Sequence, residues 1–223
     1  MIRVDVQWTG PDGKPLAVNR VDLACVVASV PSKELCIVDD PALASVLRGQ
    51  GYQVTEHALA AAATQGIILV AHHYTNELEN ALQRGARVVL LAGQKPVGAD
   101  EIAMPECTIV DRAHTRWQGD WATAFSWLKK QGPFEALPGS PLLEMEFKAV
   151  MPDAVVTGVR PWALRTHSWA GLALGWIHSP VSLLLEMPYG HGRGVVTTFK
   201  LNAKTLQSDP VAQSLFGAIL DLL

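Results

Sequence analysis

The chain is 223 residues long, 49% hydrophobic and 17% charged, and its 18 basic and 21 acidic residues give a formal net charge of −3. That composition excludes a disordered chain and suffices for one large α/β domain, or one domain with an appendage. No basic run offers a footprint to a polyanion, and no stretch reaches the roughly 18 apolar residues of a membrane-spanning helix, so neither nucleic acid nor membrane is an expected partner.

Residues 2 to about 28 read as two strands around a turn. "IRVDVQW" alternates apolar and polar residues, "GPDGKP" supplies turn residues, and "LAVNRVDLACVV" resumes the alternation. The start lacks the basic and apolar regions of a signal peptide, and no other address is legible, so the compartment stays open. An isolated hairpin is marginal in water and must pack on something. From Leu35 the period changes. "LCIVDD" leads into the helix "PALASVLRGQG", with Asp40 suited as N-cap, Pro41 at the first helical position and Gly51 as stop. The strand "YQVTEH", the short helix "ALAAAATQG" and the strand "IILVAHH" follow. "TNELENALQRG" is a helix in which Asn76 and Glu79 have capping spacing and Gly85 closes the end, and "ARVVLLAG" is the next strand. The runs at 35–38, 67–71 and 88–92 are apolar on both alternating faces, as parallel strands covered on both sides by helices must be. The expected fold class is therefore α/β, with a mostly parallel doubly wound sheet preceded by a short β-hairpin.

After Gly93 the pattern loosens. "CTIVD" reads as a strand, and "GDWATAFSWLKKQG" as a helix capped by Asp120. "LLEMEFKAV", "DAVVTGV", "LALGWIH" and "VSLLLEM" read as antiparallel strands. "SDPVAQSLFGAILDLL" reads as a closing helix with Asp209 as cap. Between the last strand-like run and the closing helix lies "YGHGRGVVTTF". A dinucleotide fingerprint needs a helix after its glycines, whereas here β-branched Val195 to Thr198 follow, and no Gly-Lys-Ser/Thr marks a P-loop. Gly190, Gly192 and Gly194 are expected to supply positive-φ positions of a hairpin turn.

The three cysteines, Cys25, Cys36 and Cys107, are widely spaced. Cys25 and Cys36 lie in apolar runs where a buried, inert thiol is expected, and no Cys/His spacing resembles a zinc site. His72 and His73 read as a surface pair at a strand end. No metal or cofactor is implied.

"YGHGRGVVTTFKL" followed by "SDPVAQSLFGAILDLL" resembles the end of class I glutamine amidotransferase-like domains found within large glycoside hydrolases. "WQGDWATAFSWLKKQGPFEALPGSPLLEMEF" is similar to the middle of such domains. "VDVQWTGPDGKPLAVNRVDLACV" resembles the closing strands of a β-sandwich module from glycosidases of the β-galactosidase and family two type. The resemblance implies a flavodoxin-like three-layer sandwich over residues 31–223, with residues 1–30 as the end of a preceding β-sandwich. A working amidotransferase needs a cysteine on a strand-to-helix elbow and a His-Pro-Glu set after a late strand. The matching positions carry Gln94 and Lys95, and then Lys200, Leu201 and Asn202, while Cys107 opens a strand. The resemblance therefore implies a degenerate active site and no glutaminase.

Glycosidase chemistry needs two carboxylates about 5–10 Å apart. Asp39, Asp40, Glu144, Glu146 and Asp153 are candidates by count only, and Glu144 and Glu146 read as the solvated face of a strand. Ser126, Ser140 and Ser168 lack a nucleophile elbow. In "PWALRTHSWAGLALGWIHSP", His167 and His178 flank Trp169 and Trp176, and most tryptophans are expected in the core. Arg160, Trp162, Arg165 and His167 form the expected contact patch.

Three readings follow. The first is a non-catalytic accessory domain of a carbohydrate-active glycoside hydrolase, in contact with the parent's other domains, a homo-oligomer partner or carbohydrate. The second is a stand-alone small-molecule hydrolase or binding protein using Asp39, His72 and His73 at the strand ends, where doubly wound sheets bind ligands. The third is an interaction domain that dimerises through the tryptophan-bearing segment.

Overall fold

The computed structural model describes residues 2–23, 26, 30–55, 66–93, 101–104, 107–118, 124–174 and 180–223. The expected opening hairpin forms: β1 (Ile2–Thr9) pairs antiparallel with β2 (Pro15–Leu23) as a separate two-stranded sheet. Its turn closes with the Gly10 amide donating to Lys14 O at 2.8 Å, and Gly13 adopts φ +76. Period-2 alternation sorts its faces. Ile2, Val4, Val6 and Trp8 share one face with Ala17 and Val21, while the Arg20–Asp5 ion pair (2.7 Å) lies on the other. Every residue of β1 is exposed, Trp8 at 71%.

The remaining strands are β3 (Glu34–Ile37), β4 (Gln53–Thr55), β5 (Ile68–Ala71), β6 (Arg87–Leu91), β7 (Glu101–Met104), β8 (Cys107–Asp111), β9 (Ala124–Leu128), β10 (Ala154–Thr157), β11 (Ser168–Leu174), β12 (Val181–Tyr189) and β13 (Gly192–Thr197). They form one eleven-stranded sheet with the path β4-β3-β5-β6-β13-β12-β10-β8-β7, and β11 joins β12 to β9. Pairings along β4-β3-β5-β6-β13 are parallel. Every other pairing in the sheet is antiparallel. The sheet is thus mixed, not mostly parallel, because hairpin-linked strands from the second half of the chain extend the parallel block.

Five helices are described: α1 (Pro41–Gly49), α2 (Asn76–Gln83), α3 (Pro161–His167), α4 (Ala203–Ser208) and α5 (Pro210–Leu220). The parallel strands are apolar on both faces because both faces are covered. Leu35, Ile68, Val70, Val89, Leu91 and Val195 pack with α1, α4 and α5 through Leu43, Leu47, Leu206, Leu215 and Phe216. Their neighbours Cys36, Leu69, Ala71, Val88, Leu90 and Val196 pack with α2 through Leu78, Ala81 and Leu82. Caps follow local chemistry. Asp40 accepts from Leu43 N at 2.8 Å with Pro41 at the first turn, and Asp209 accepts from Val211 N and Ala212 N ahead of Pro210's helix. Helix α2 is capped by Thr75, whose hydroxyl accepts from Leu78 N, and not by Asn76, which lies inside the first turn.

Four sequence expectations change. Residues 124–128 of the expected "GDWATAFSWLKKQG" helix are strand β9, paired with β11; Trp127 lies opposite Gly171, where a Cβ would come within 2.5 Å of the indole. Cross-strand packing outweighs local periodicity there. The expected strand "LLEMEFKAV" holds a 3₁₀ turn at Met145–Phe147 that buries Phe147, and Glu146 carries a buried carboxylate oxygen in place of a solvated face. Helix α3 occupies a segment read only as an aromatic cluster, started by Pro161. Of the three turn glycines only Gly190 has positive φ (+60), at the first central position of the two-residue β12–β13 turn, as a type II′ turn requires. Gly192 is needed for close approach: a Cβ there would lie 2.4 Å from Ala86 O and 2.5 Å from Leu82 O. The expected helix at "ALAAAATQG" falls, but for Gly66, outside the described residues, as do Cys25 and Asp120.

Tyr52 sits under α5, edge-to-face with Phe216 at 5.8 Å. Burial first, and the charge of Asp221 second, push its phenol up to about 12 from 10. Between those values the unfolded chain releases a proton that the folded chain keeps. The stability present below pH 10 is therefore lost as pH rises toward 12, at about 1.4 kcal/mol per pH unit. Thermal melts across that window should show a shallower alkaline decline for Tyr52→Phe than for wild type. The phenol of Tyr74 is raised too, by burial and by Glu79, and keeps part of the slope in the variant.

Candidate functional site

In chain order the parallel block runs 2-1-3-4-5, so its connections reverse direction between β3 and β5. Doubly wound sheets open a crevice at the carboxyl ends of their strands at this point. The sequence-predicted groups converge here. Val38 N still bonds Val70 O at 2.8 Å, Asp39 turns the chain with φ +57, and Asp40 begins α1. A positive φ at a non-glycine residue stores backbone strain, which aspartate tolerates better than most side chains.

Across the switch point, His72 follows β5. Its Nε2 lies 2.8 Å from Asp40 Oδ2 and its Nδ1 lies 3.2 Å from Leu91 O, at the end of β6. The two side chains are only 13% and 19% exposed. A carbonyl oxygen only accepts, so Nδ1 donates to Leu91. Nε2 faces Asp40 Oδ2, so both ring nitrogens are engaged within the fold and neither faces outward. Asp40 Oδ1 meanwhile caps α1. The pair fastens the exits of three neighbouring strands and corrects the reading of His72 as a surface residue. His73 and Asp39 are exposed beside it, and Gln94 lies outside the described residues. On the β4 side, a cavity of about 230 Å³ is bordered by Asp39, Asp40, Arg48 and Thr55. Arg48 Nε and Thr55 Oγ1 donate to Val54 O and Leu35 O at its wall.

The positions where the resemblance places His-Pro-Glu have structural roles. Lys200 pairs with Asp153 at 2.6 Å, Leu201 is buried in the core, and Asn202 caps α4 in a capping box with Thr205. Ser168 is buried and bonded to Ser182 at 2.8 Å. Cys36 and Cys107 are buried in the same apolar cluster. Among the described tryptophans, Trp117 is buried, Trp169 packs on Phe134 and donates to Glu186 Oε2 at 2.9 Å, and Trp8 and Trp162 stand exposed. Trp176 and His178 lie outside the described residues.

Three members of the expected contact patch come together. Arg160, Trp162 and His167 border a cavity of about 260 Å³ with Cys107 and Met187–Tyr189. Arg165 does not line it, and its carbonyl accepts from Lys129 Nζ at 3.1 Å. Sequence reasoning missed the contribution of β8 and β12 to this cavity, and missed the Asp40–His72 pair. Both join segments with no local signal of their proximity.

The fold is a mixed α/β domain with a crevice at the carboxyl edge of its parallel block. No family model and no curated protein matches the chain. Among solved structures it is similar to the β-galactosidase of Bacillus circulans sp. alkalophilus, with a TM-score of 0.43 and 10% identity over 87% of this chain and 31% of that one. It is also similar to the polyextremophilic β-galactosidase of the Antarctic haloarchaeon Halorubrum lacusprofundi, with a TM-score of 0.39 and 13% identity over 88% of this chain and 31% of that one. The chain spans about a third of the length of either.

Proposed function

We propose that this chain is a non-catalytic accessory domain of a carbohydrate-active glycoside hydrolase, making contacts with other domains or with a second copy. In this reading residues 31–223 form an amidotransferase-like three-layer sandwich with a degenerate active site, and residues 1–30 complete a preceding β-sandwich. The observation that carries it is the β1–β2 ribbon. Ile2, Val4, Val6 and Trp8 stand exposed on one face of a two-stranded sheet whose edges pair with no other strand among the described residues. Such a ribbon is marginal alone, and an apolar face of this kind marks a surface meant to be covered. The roles of Lys200, Leu201 and Asn202 in packing and capping support the absence of a glutaminase site, and the closed Asp40–His72 pair weighs against His72 as a general base. The purified chain is expected to leave glutamine and nitrophenyl glycosides unhydrolysed. Turnover that disappears in Asp39→Asn or Glu144→Gln would overturn the proposal.

A further inference from the structure

The second cavity carries an inference that does not depend on the accessory-domain reading. Three separated parts of the chain build it: the start of β8, the segment from Val159 through α3, and the end of β12. Its walls are apolar at Val159, Ala163, Met187 and Pro188. The polar residues at its border are engaged elsewhere. The Tyr189 hydroxyl donates to Glu79 Oε1 at 2.7 Å, and Arg160 and Cys107 have interaction partners within the chain.

The rim is aromatic. Trp162 is 56% exposed, an unusual position for so large an aromatic surface. Its ring is held edge-to-face against His167, with centroids 5.9 Å apart and planes at 75°. Pro161 fixes the first turn of α3, and Thr166 Oγ1 donates to Trp162 O at 2.9 Å, so the backbone carrying the indole is held in place. A ligand stacking there meets a platform that is already ordered, which lowers the entropy cost of binding.

These groups select by size and against charge. A cavity of about 150 Å³ lined by apolar side chains takes benzene, so one of about 260 Å³ admits a single ring or two fused rings. Trp162 offers a face on which a ring can stack, and the Met187 thioether is of the kind that contacts aromatic rings favourably. A charged group would lose its water against Val159, Ala163 and Pro188, whose side chains return no hydrogen bond. A free sugar meets the same cost at several hydroxyls. We infer that this cavity binds an uncharged aromatic molecule of one or two rings, held between Trp162 and the apolar wall.

The test is titration of the full chain with 2-naphthol, followed by NMR of isotope-labelled methionine methyl groups and by saturation transfer to the ligand's ring protons. Saturable binding is expected. The Met187 methyl signal, assigned from Met187→Leu, should move most, through the ring current of the ligand. Trp162→Ala should weaken binding about tenfold, and Val159→Phe, which fills the cavity, should abolish it. Two comparison ligands separate the terms. 2-Naphthoate keeps the rings and adds a charge, whereas decahydro-2-naphthol keeps the skeleton and removes the aromatic faces. Each should bind about threefold or more weakly than 2-naphthol. Trp162 stands exposed, so Trp162→Ala should keep the wild-type circular dichroism and melting temperature. Absence of saturable 2-naphthol binding, binding that leaves the Met187 methyl unmoved, binding undiminished in Trp162→Ala, or tighter binding of 2-naphthoate or galactose would overturn the inference.

Discussion

Gly192→Ala should lower the melting temperature by roughly 6–12 °C, from a loss of about 3 kcal/mol at about 2–4 °C per kcal/mol for a chain of this size. The added Cβ would sit 2.4 Å from Ala86 O and 2.5 Å from Leu82 O. Both are backbone atoms, so neither can rotate away as a side chain would. The β12–β13 hairpin would have to lift from the end of α2, where Arg193 N and His191 N donate to Ala86 O and Gln83 O. Gly190→Ala should also be costly, since residue 190 combines φ +60 with a Cβ position 2.6 Å from Gln83 Cα. Gly49→Ala is the control: nothing lies within 4 Å of its Cβ, and alanine at the end of α1 should stabilise by up to about 1 kcal/mol. Calorimetry of the three variants separates this account from a phosphate-binding one. A phosphate loop would leave the Gly192→Ala melting temperature unchanged and would bind nucleotide in the wild type.

The glycine stretch shows which parts of the fold are legible in sequence. The β-branched run after it identified a strand, because strand propensity and a missing helix are local facts. Asp40-Pro41 and Asp209-Pro210 were legible for the same reason: a cap and its first turn lie within a few residues. The parallel strands were legible because burial on both faces leaves unbroken apolar runs. What failed was non-local. "AFSWL" carries helical spacing, yet Gly171, more than forty residues on, offers the gap into which the Trp127 indole fits, and β11 takes the segment as strand β9. The triplet of glycines was legible as a turn, but Gly192's reason for being glycine lies in Ala86 and Leu82. The candidate site divides in the same way. Asp39, Asp40 and His72 were recognisable as strand-end groups, while the bond between Asp40 and His72 spans 32 positions and depends on β3 and β5 being neighbours.

That bond leads to the second large effect. Asp40→Ala should destabilise the domain by about 3 kcal/mol, or roughly 6–12 °C, by removing two interactions of one carboxylate. Loss of the Oδ1 cap on Leu43 N costs about 1 kcal/mol. Loss of Oδ2 leaves His72 Nε2 without its partner in a site 13% exposed, which adds about 2 kcal/mol, less than for a fully buried pair. Asp40→Asn separates the two, since asparagine caps a helix as well as aspartate but carries no charge for the imidazole. It should recover the cap and lose only the pair. A double-mutant cycle of Asp40→Asn with His72→Ala should then give a coupling of about 1–2 kcal/mol, measured by denaturant unfolding. A coupling near zero would mean that the pair does not fasten β3, β5 and β6, and that His72 is free to serve a ligand at the switch point. If the coupling is present, the stability of this edge depends on Asp40 and His72 together, while the cavity of about 230 Å³ on the β4 side of the pair remains open.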